Sequence, residues 1–437
     1  MRISVIGCGY LGAVHAACMA ELGHDVVGVD IDERKIASLR EGNAPFYEPG
    51  LPELLKSAGE TGRLRFTAET DAARGAAVHF IAVGTPQRKG ENAADLSFVE
   101  AAVDMLLPHL SDGDLVVGKS TVPVGTARRL AEKVAAANPS VKLVWNPEFL
   151  REGYAVKDTV SPDRLVYGVR DAAESAEVAA VLDEVYAHAL ERDTPRIITD
   201  YETAELVKVS ANAFLATKIS FINAMAEVCE ATGADVTQLA DAIGLDERIG
   251  RRFLNAGLGF GGGCLPKDIR AFMARAGELG VDQALSFLRE VDAINMRRRN
   301  RTVDLAREVC GGSLIGRKIA VLGLAFKPDS DDVRDSPALN VAVQLQLQGA
   351  AVLCTDPQAV DNSRLRFPEL TLVKTVEEAA EAADAVMVLT EWKEYRELDP
   401  RWLSEIVGSK TIVDGRNCLD PVTWRAAGWR YRALGRP

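Results

Sequence analysis

The first thirty residues constrain this chain most. Residues 2 to 6 (RISVI) read as a short buried strand, GCGYLG at 7 to 12 as a tight turn, Ala13 to Leu22 as a helix, and Asp25 to Asp30 (DVVGVD) as a second strand. That is a βαβ opening. Strand-like runs recur at Ala77 to Val83, Leu115 to Gly118 and Leu143 to Trp145, separated by helix-length segments. The pattern predicts a parallel sheet covered on both faces. In the turn, Gly7, Gly9 and Gly12, with Tyr10 and Leu11 between them, let backbone N–H groups approach a pyrophosphate at a helix N-terminus, and Asp30 can accept from a ribose 2′-OH. A dinucleotide is therefore the expected ligand. Asp30 would repel a 2′-phosphate, which favours NAD over NADP, although Arg34 and Lys35 lie close by in sequence and oppose that preference.

Ligands of such sheets sit beyond the carboxyl ends of the strands. Those loops are Gly84, Thr85 and Pro86 after one strand, Ser120 and Thr121 in STVPVGT after another, and NPEFLREG at 146 to 153. From about Tyr201 to Ala231 the pattern becomes a long, mostly apolar helix closed by Gly233, and helical patterns continue to about Arg307. Lys318 to Gly323 then starts another strand, Pro337 to Gln348 another helix, and Ala351 to Asp356 another strand ending in aspartate. This echoes the N-terminus with a longer loop, FKPDSDDVRDS, inserted after the glycine. With 437 residues, about three domains are expected. The fold class read here is α/β, with two Rossmann-like doubly wound parallel-sheet domains joined by a central long-helix region. The boundaries are drawn at 1–198, 199–307 and 308–437.

Composition removes several alternatives. The formal charge of −12 repels nucleic acid and anionic membrane surfaces, so phosphate groups must be held locally. Seven scattered cysteines, with no C-x-x-C pair, read as thiols in a reducing compartment and give neither a disulfide framework nor a metal site. No apolar run reaches the roughly 18 residues of a membrane span. The apolar stretch from Arg2 to Ala20 imitates a signal peptide, but its glycines and His15 argue against one, and a cytoplasmic protein is expected.

The most informative segment is GLGFGGGCLPKD at 257 to 268. Its glycines suit a backbone wrapped closely around a ligand. Pro266 fits a first helical turn, which puts Cys264 at a helix N-terminus, where the dipole lowers a thiol pKa; Lys267 and Asp268 add a cation and an acid/base candidate. The other six cysteines lie in apolar stretches and read as inert. Lys208 and Asn212 lie four apart on the long helix and share a face, as a cation and an amide donor for an oxygen gaining charge, or as a lysine snorkelling to solvent. Glu148 and Glu152 are likewise four apart, either a base and a hydroxyl ligand or a solvated pair. Phe326, Lys327 and Arg334 occupy the long third-part loop, and Arg416 follows the strand-like TIVDG; each cation could bind phosphate. The cluster RRRNR at 297 to 301 reads as a solvated helix face.

Taken in order, GCGYLG, YEPGL (47 to 51), VGTP, STVPVGT, NPEFLREG, KVSAN, GFGGGCLPKD, GLAFKPDSDDVRDSP and DGRNCLD resemble the UDP-glucose 6-dehydrogenases within the nucleotide-sugar dehydrogenases, over nearly the whole chain. The resemblance implies Cys264 as nucleophile, Lys208 and Asn212 as oxyanion stabilisers, Asp268 in proton transfer, and Thr121 and Glu152 holding a water. It places the nucleotide sugar on Glu148, Phe149, Leu150, Arg151 and Glu152, on Lys208 and Asn212, and on the loop Asn255, Gly257, Leu258, Gly259, Phe260 and Gly261 with Phe326 and Lys327. It places NAD on the glycine turn and on Lys35, Ser120, Glu152, Lys267 and Arg334. Arg248 and Arg416 match ligand positions near or across a homodimer interface built on the long helix. The implied reaction is a four-electron oxidation of UDP-glucose to UDP-glucuronate through a Cys264 thiohemiacetal and thioester. GDP-mannose or another nucleotide sugar is the alternative substrate. Two rivals lie outside that reaction: a two-electron hydroxyacid dehydrogenase, which has no need for Cys264, and a catalytically silent nucleotide-sugar sensor, which has no need for Lys208 and Glu152 either.

Overall fold

The computed structural model describes residues 1–437. The chain divides into two compact units, one of residues 1–211 and 270–280, the other of residues 212–269 and 281–437. The first unit is built on an eight-stranded sheet in the order β3-β2-β1-β4-β5-β6-β7-β8. Its strands are β1 (Arg2–Ile6), β2 (Asp25–Val29), β3 (Leu64–Thr67), β4 (Val78–Ile81), β5 (Leu115–Gly118), β6 (Lys142–Trp145), β7 (Leu165–Val169) and β8 (Arg196–Asp200). All neighbours pair parallel except β6 with β7, which touch antiparallel at Trp145 and Gly168. The chain reverses direction of growth between β1 and β4, so the loops after these two strands open a crevice at their carboxyl ends. GCGYLG and VGTP are those loops.

The second unit repeats the order in six parallel strands, β11-β10-β9-β12-β13-β14. These are β9 (Lys318–Leu322), β10 (Ala351–Thr355), β11 (Thr371–Leu372), β12 (Ala385–Val388), β13 (Thr411–Asp414) and β14 (Arg430–Ala433). The echo read in the sequence is thus a repeated topology. Both sheets are fully buried in the middle: Ile3, Val5, Val78 and Phe80 in the first and Ile319, Val321, Val386 and Met387 in the second are inaccessible to solvent. This accounts for their unbroken apolar runs, since a strand covered on both faces has no polar side.

The helix Tyr201–Thr232 follows β8 directly, and helices Leu265–Glu278 and Phe287–Val309 come after it. No helix is long and apolar enough to cross a membrane.

Candidate active site

The glycine turn meets each demand of a pyrophosphate cradle. Gly7 has φ +92°, a left-handed backbone, and a Cβ there would lie 2.6 Å from Val83. At Gly12 a Cβ would lie 1.7 Å from the carbonyl of Gly7, so only glycine lets the helix Tyr10–Glu21 pack this close. Gly9, by contrast, faces open space with nothing within 4 Å. The turn and packing glycines are thereby filled by protein, and the middle one leaves its backbone open to a ligand. Asp30 is buried; it accepts from Cys8 N at 2.7 Å and from Asp32 N at 3.0 Å, and pairs with Lys35 Nζ at 2.7 Å. Lys35 therefore neutralises the residue that selects against a 2′-phosphate instead of standing apart as a phosphate ligand. The open Gly9 backbone and the Asp30 carboxylate fit NAD.

Three loops at the strand ends are tied to one another. Ser120 Oγ donates to Val83 O and Thr85 Oγ1 to Thr121 O, each at 2.7 Å, so the hydroxyls singled out in the sequence hold the loops together. Glu48 of YEPGL, missed as a functional residue, is buried and accepts from Gly153 N at 2.6 Å, from Ala155 N at 2.7 Å and from the Tyr10 hydroxyl. Tyr10 thus anchors the NPEFLREG loop. Within that loop the Arg151 guanidinium is bound bidentately by Asp158, with Nε to Oδ2 at 2.8 Å and Nη2 to Oδ1 at 2.5 Å.

Lys208 does not snorkel. It is buried and pairs with Glu148 Oε1 at 2.9 Å, its ammonium 5.6 Å from the Phe149 ring centroid. The other oxygen of Glu148 accepts Leu150 N at 2.5 Å. The reading of Glu148 as half of a solvated pair is therefore excluded. Glu205, one turn earlier on the long helix, accepts Gly125 N at 2.7 Å and Ala127 N at 2.6 Å and so fixes the far end of STVPVGT. Burial pushes its carboxyl up to about 7, against the pull of those backbone donors.

In the second unit Cys264 immediately precedes the helix Leu265–Glu278, and its carbonyl accepts Asp268 N at 2.9 Å, which closes the first helical turn. Of the seven cysteines, Cys264 alone is exposed, and no disulfide is formed. Burial raises the thiols of Cys18 and Cys354 to about 12 and those of Cys8, Cys229, Cys310 and Cys418 as well. Asp268 is buried, with one oxygen 2.7 Å from Asn212 Nδ2 and the other 2.6 Å from Lys267 Nζ. The contact with Asn212 Nδ2 makes Asp268 an orienter of the Asn212 amide.

The glycine loop answers to protein more than to ligand. A Cβ on Gly257 would lie 2.7 Å from Gly415 O, on Gly259 2.4 Å from Asn295 Oδ1, on Gly261 2.3 Å from Asp335 O, and on Gly263 2.2 Å from the Arg334 guanidinium carbon. Leu258 and Phe260 turn their side chains inward and are buried. Asn223 holds Gly257 N at 2.9 Å, and Asn295 binds both Phe260 N and Phe260 O, at 2.7 and 3.0 Å. The cluster RRRNR is not a solvated face: Arg298 and Arg299 are buried. Arg298 Nε donates to Gly257 O at 3.3 Å and Arg299 Nη2 to Phe260 O at 3.3 Å. A charge run gives a helix face but not what covers it, and here the glycine loop does. Arg416 likewise donates to Leu389 O, Gly259 O and Phe326 O at 2.9, 2.9 and 3.0 Å, so it organises three loops. Arg334 is chelated by Asp332, Lys327 stands over the Phe326 ring at 5.7 Å, and Asn255 accepts from Arg251. Arg248 projects into solvent with Asp246 as its partner.

Comparison with known proteins matches three successive segments of the chain. Models of the UDP-glucose/GDP-mannose dehydrogenase family match residues 1–190 with its NAD binding domain, 202–297 with its central domain and 320–421 with its UDP binding domain. A UDP-glucose 6-dehydrogenase of Rhizobium meliloti (strain 1021) is 44% identical across 100% of both chains. The UDP-glucose 6-dehydrogenase TuaD of Bacillus subtilis (strain 168) is also 44% identical, across 100% of this chain and 93% of that one. The solved structure of a UDP-glucose dehydrogenase from the hyperthermophilic archaeon Pyrobaculum islandicum matches with a TM-score of 0.88 at 39% identity, covering 100% of this chain and 98% of that one.

Proposed function

Because the chain belongs to the UDP-glucose/GDP-mannose dehydrogenase family, we propose that it oxidises the C6 hydroxymethyl group of UDP-glucose to a carboxylate and reduces two NAD per sugar. The observation that carries the reading is the exposed Cys264 thiol at a helix N-terminus, in a chain whose six other thiols are held back by burial. A two-electron alcohol oxidation has no use for it. A four-electron oxidation does, because an aldehyde must first be converted to a form that carries a transferable hydride.

NAD, when bound, takes the hydride from C6. In the first step the C6 hydroxyl loses a proton and C6 loses a hydride, giving the aldehyde, while the Lys208 ammonium and an Asn212 amide hydrogen stabilise the oxygen as its negative charge grows. Cys264 Sγ then bonds to C6 and its proton passes to the carbonyl oxygen, forming a thiohemiacetal. Loss of a second hydride and the hydroxyl proton leaves a thioester. Water held by Thr121 and Glu152 adds to that carbon, the C–S bond breaks, and the carboxylate leaves as the thiol is restored. Asp268, held between Lys267 and Asn212, keeps the Asn212 amide oriented and can take up a proton at this end of the site.

The reading extends to a homodimer. Phe214, Phe221 and Val228 are 66%, 49% and 53% exposed and recur every seven residues along one face of the long helix, an apolar stripe that a second copy would cover. The thiol chemistry and the absence of any disulfide support a reducing, cytoplasmic setting. Purified protein offered NAD with UDP-glucose, UDP-galactose, GDP-mannose or UDP-N-acetyl-hexosamines tests the substrate. About two reduced cofactors per UDP-glucose consumed, as the four-electron chemistry requires, is the expected result; one per sugar, or turnover only with another sugar, overturns the reading.

A further inference from the structure

Lys119 lies between the two loops that carry Thr121 and Glu148, and nothing in the reaction above uses it. It follows the last residue of β5 and is buried. Its ammonium donates to Asn146 Oδ1 at 3.0 Å and to the Tyr186 hydroxyl at 3.2 Å, and Tyr186 itself donates to Asn146 Oδ1 at 2.7 Å. Asn146 is anchored in turn by Nδ2 to Val166 O at 2.9 Å. One buried amide thereby ties the ends of β5, β6 and β7 together, with Glu148 only two residues further along the chain.

These direct partners are neutral. The ammonium stands 5.9 and 5.6 Å from the ring centroids of Phe80 and Tyr186. A cavity of about 40 Å³ adjoins it, lined among others by His15, Lys119, Asn146, Glu148 and Tyr186. Glu148 is the carboxylate whose charge favours the Lys119 cation, and Lys208 is the cation that opposes it. Glu148 thus interacts with two lysines, Lys208 in direct contact and Lys119 through space across the cavity that Lys119 and Glu148 both line.

We propose that Lys119 is a positioning residue of the reaction, whose buried ammonium fixes the Asn146–Pro147–Glu148 turn against the Thr121 loop and adds positive charge beside the Glu148–Lys208 pair. The inference rests on the roles given to Lys208 and Thr121 above. Lys119 is a cation below about pH 8, and loss of its charge lets nearby groups hold their protons more strongly, which moves the acid limb of the profile to higher pH. The groups facing this ammonium are His15 on the first helix, Tyr186 after the helix Ala172–Val185, Glu148 on its loop and Lys208 on the long helix, with Asp158, Asp163 and Arg164 farther along the cavity wall. His15 is fully buried and its imidazole is held neutral by that burial, with Lys119 adding to the effect. It contributes no competing charge near neutral pH.

The test compares Lys119→Met, which keeps an apolar chain of similar length, with Lys119→Gln, which keeps a donor without the charge. Both are assayed with NAD and UDP-glucose across pH beside the wild type. Expected are a kcat reduced about tenfold or more in each variant, KM for either substrate within about threefold, and the acid limb of the kcat profile moved up by about one pH unit, the scale of one charge at this range. A kcat near that of the wild type, or a reduced kcat with an unmoved acid limb, overturns the inference, the second result leaving Lys119 only a packing role. Recovery of wild-type behaviour in Lys119→Gln also overturns it, because a hydrogen bond would then suffice. Should Lys119→Met not fold, Lys119→Gln decides alone, and failure of both assigns the residue to folding and overturns the proposal. Absence of turnover in the wild type would instead fault the substrate reading on which it rests.

Discussion

At the scale of single residues, position decides chemistry for side chains of one type. Six thiols are raised by burial, and Cys264 alone is exposed, at a helix N-terminus. A limiting alkylating agent should therefore modify Cys264 first, read by mass spectrometry of peptides, with activity lost at about one equivalent per chain. Cys264→Ser should lower uronate formation at least about a hundredfold while leaving the fold and NAD affinity intact. Uronate made at the wild-type rate by that variant would remove the covalent steps. Lysines divide in the same way. Burial pulls Lys119 down to about 8 from its ordinary 10.5, so the folded protein binds fewer protons than the unfolded chain between those values, and stability rises with pH across that window. The penalty is present in full below pH 8 and disappears toward 10.5, about 3 kcal/mol in total. In urea titrations, wild type should gain about that much relative to Lys119→Met between pH 7.5 and 10.5, and a flat difference would contradict it. Cys264 was legible in the sequence because glycine, proline and charge surround it in one motif. Lys119 was not, since a lone lysine after a strand has no pattern, and its burial depends on Tyr186 and Asn146 brought from elsewhere.

At the scale of elements, the sequence displayed what has a period and concealed what is defined by partners. Strands β1, β2, β4, β5 and β6 read out as apolar runs, and the long helix was placed to within a residue or so of its observed span, Tyr201–Thr232. Three strands of the first sheet were missed. β3 is four residues with alternating burial and β8 is an edge strand with largely exposed side chains, so neither carries an apolar run; β7 (LVYGV) is five buried residues, as long as β1, and its pattern was legible. The glycine loop was found, but its reason was not. Arg298, Arg299, Asn223 and Asn295 reach it from helices and occupy the space that side chains on the loop would need. Glu205 shows the same dependence on tertiary partners. It lies on the long helix yet holds two N–H groups at the start of the helix Thr126–Ala137. Glu205→Ala leaves both donors without a partner in a buried place, at a cost of about 2–4 kcal/mol. We expect a lowered urea midpoint, and kcat/KM reduced more than tenfold (about 1.4 kcal/mol) because the Thr121 loop loses its far anchor. A variant with unchanged stability would show that the helix start finds other acceptors.

At the scale of the whole molecule, a chain of formal charge −12 handles two ligands that both carry pyrophosphate. Arginines committed internally account for part of this: Arg298, Arg299 and Arg416 bind loop carbonyls, and Arg151 and Arg334 are chelated by aspartates. What they leave for anions is mostly backbone. Of the arginines assigned to ligands, Arg248 stands apart, with 88% of its side chain exposed and only Asp246 as its partner. If a second copy covers the Phe214–Phe221–Val228 stripe, Arg248 can serve the partner's substrate site, and subunit mixing can test this without knowledge of the interface geometry. Take two inactive parents, Cys264→Ser and Arg248→Ala, and let their subunits exchange at random. In a mixed dimer with Arg248 acting across the interface, one site has both defects and the other has neither. Half of all dimers are mixed and one of their two sites works, so about a quarter of wild-type activity should return. If Arg248 acts within its own chain, every site keeps one defect and nothing returns. Placing Phe221→Asp in both parents should abolish the recovery and yield monomers in sedimentation velocity, since a carboxylate at the centre of the stripe would be buried without a partner. Recovery that persists in those monomers would exclude the long-helix stripe as the contact that brings Arg248 to its partner.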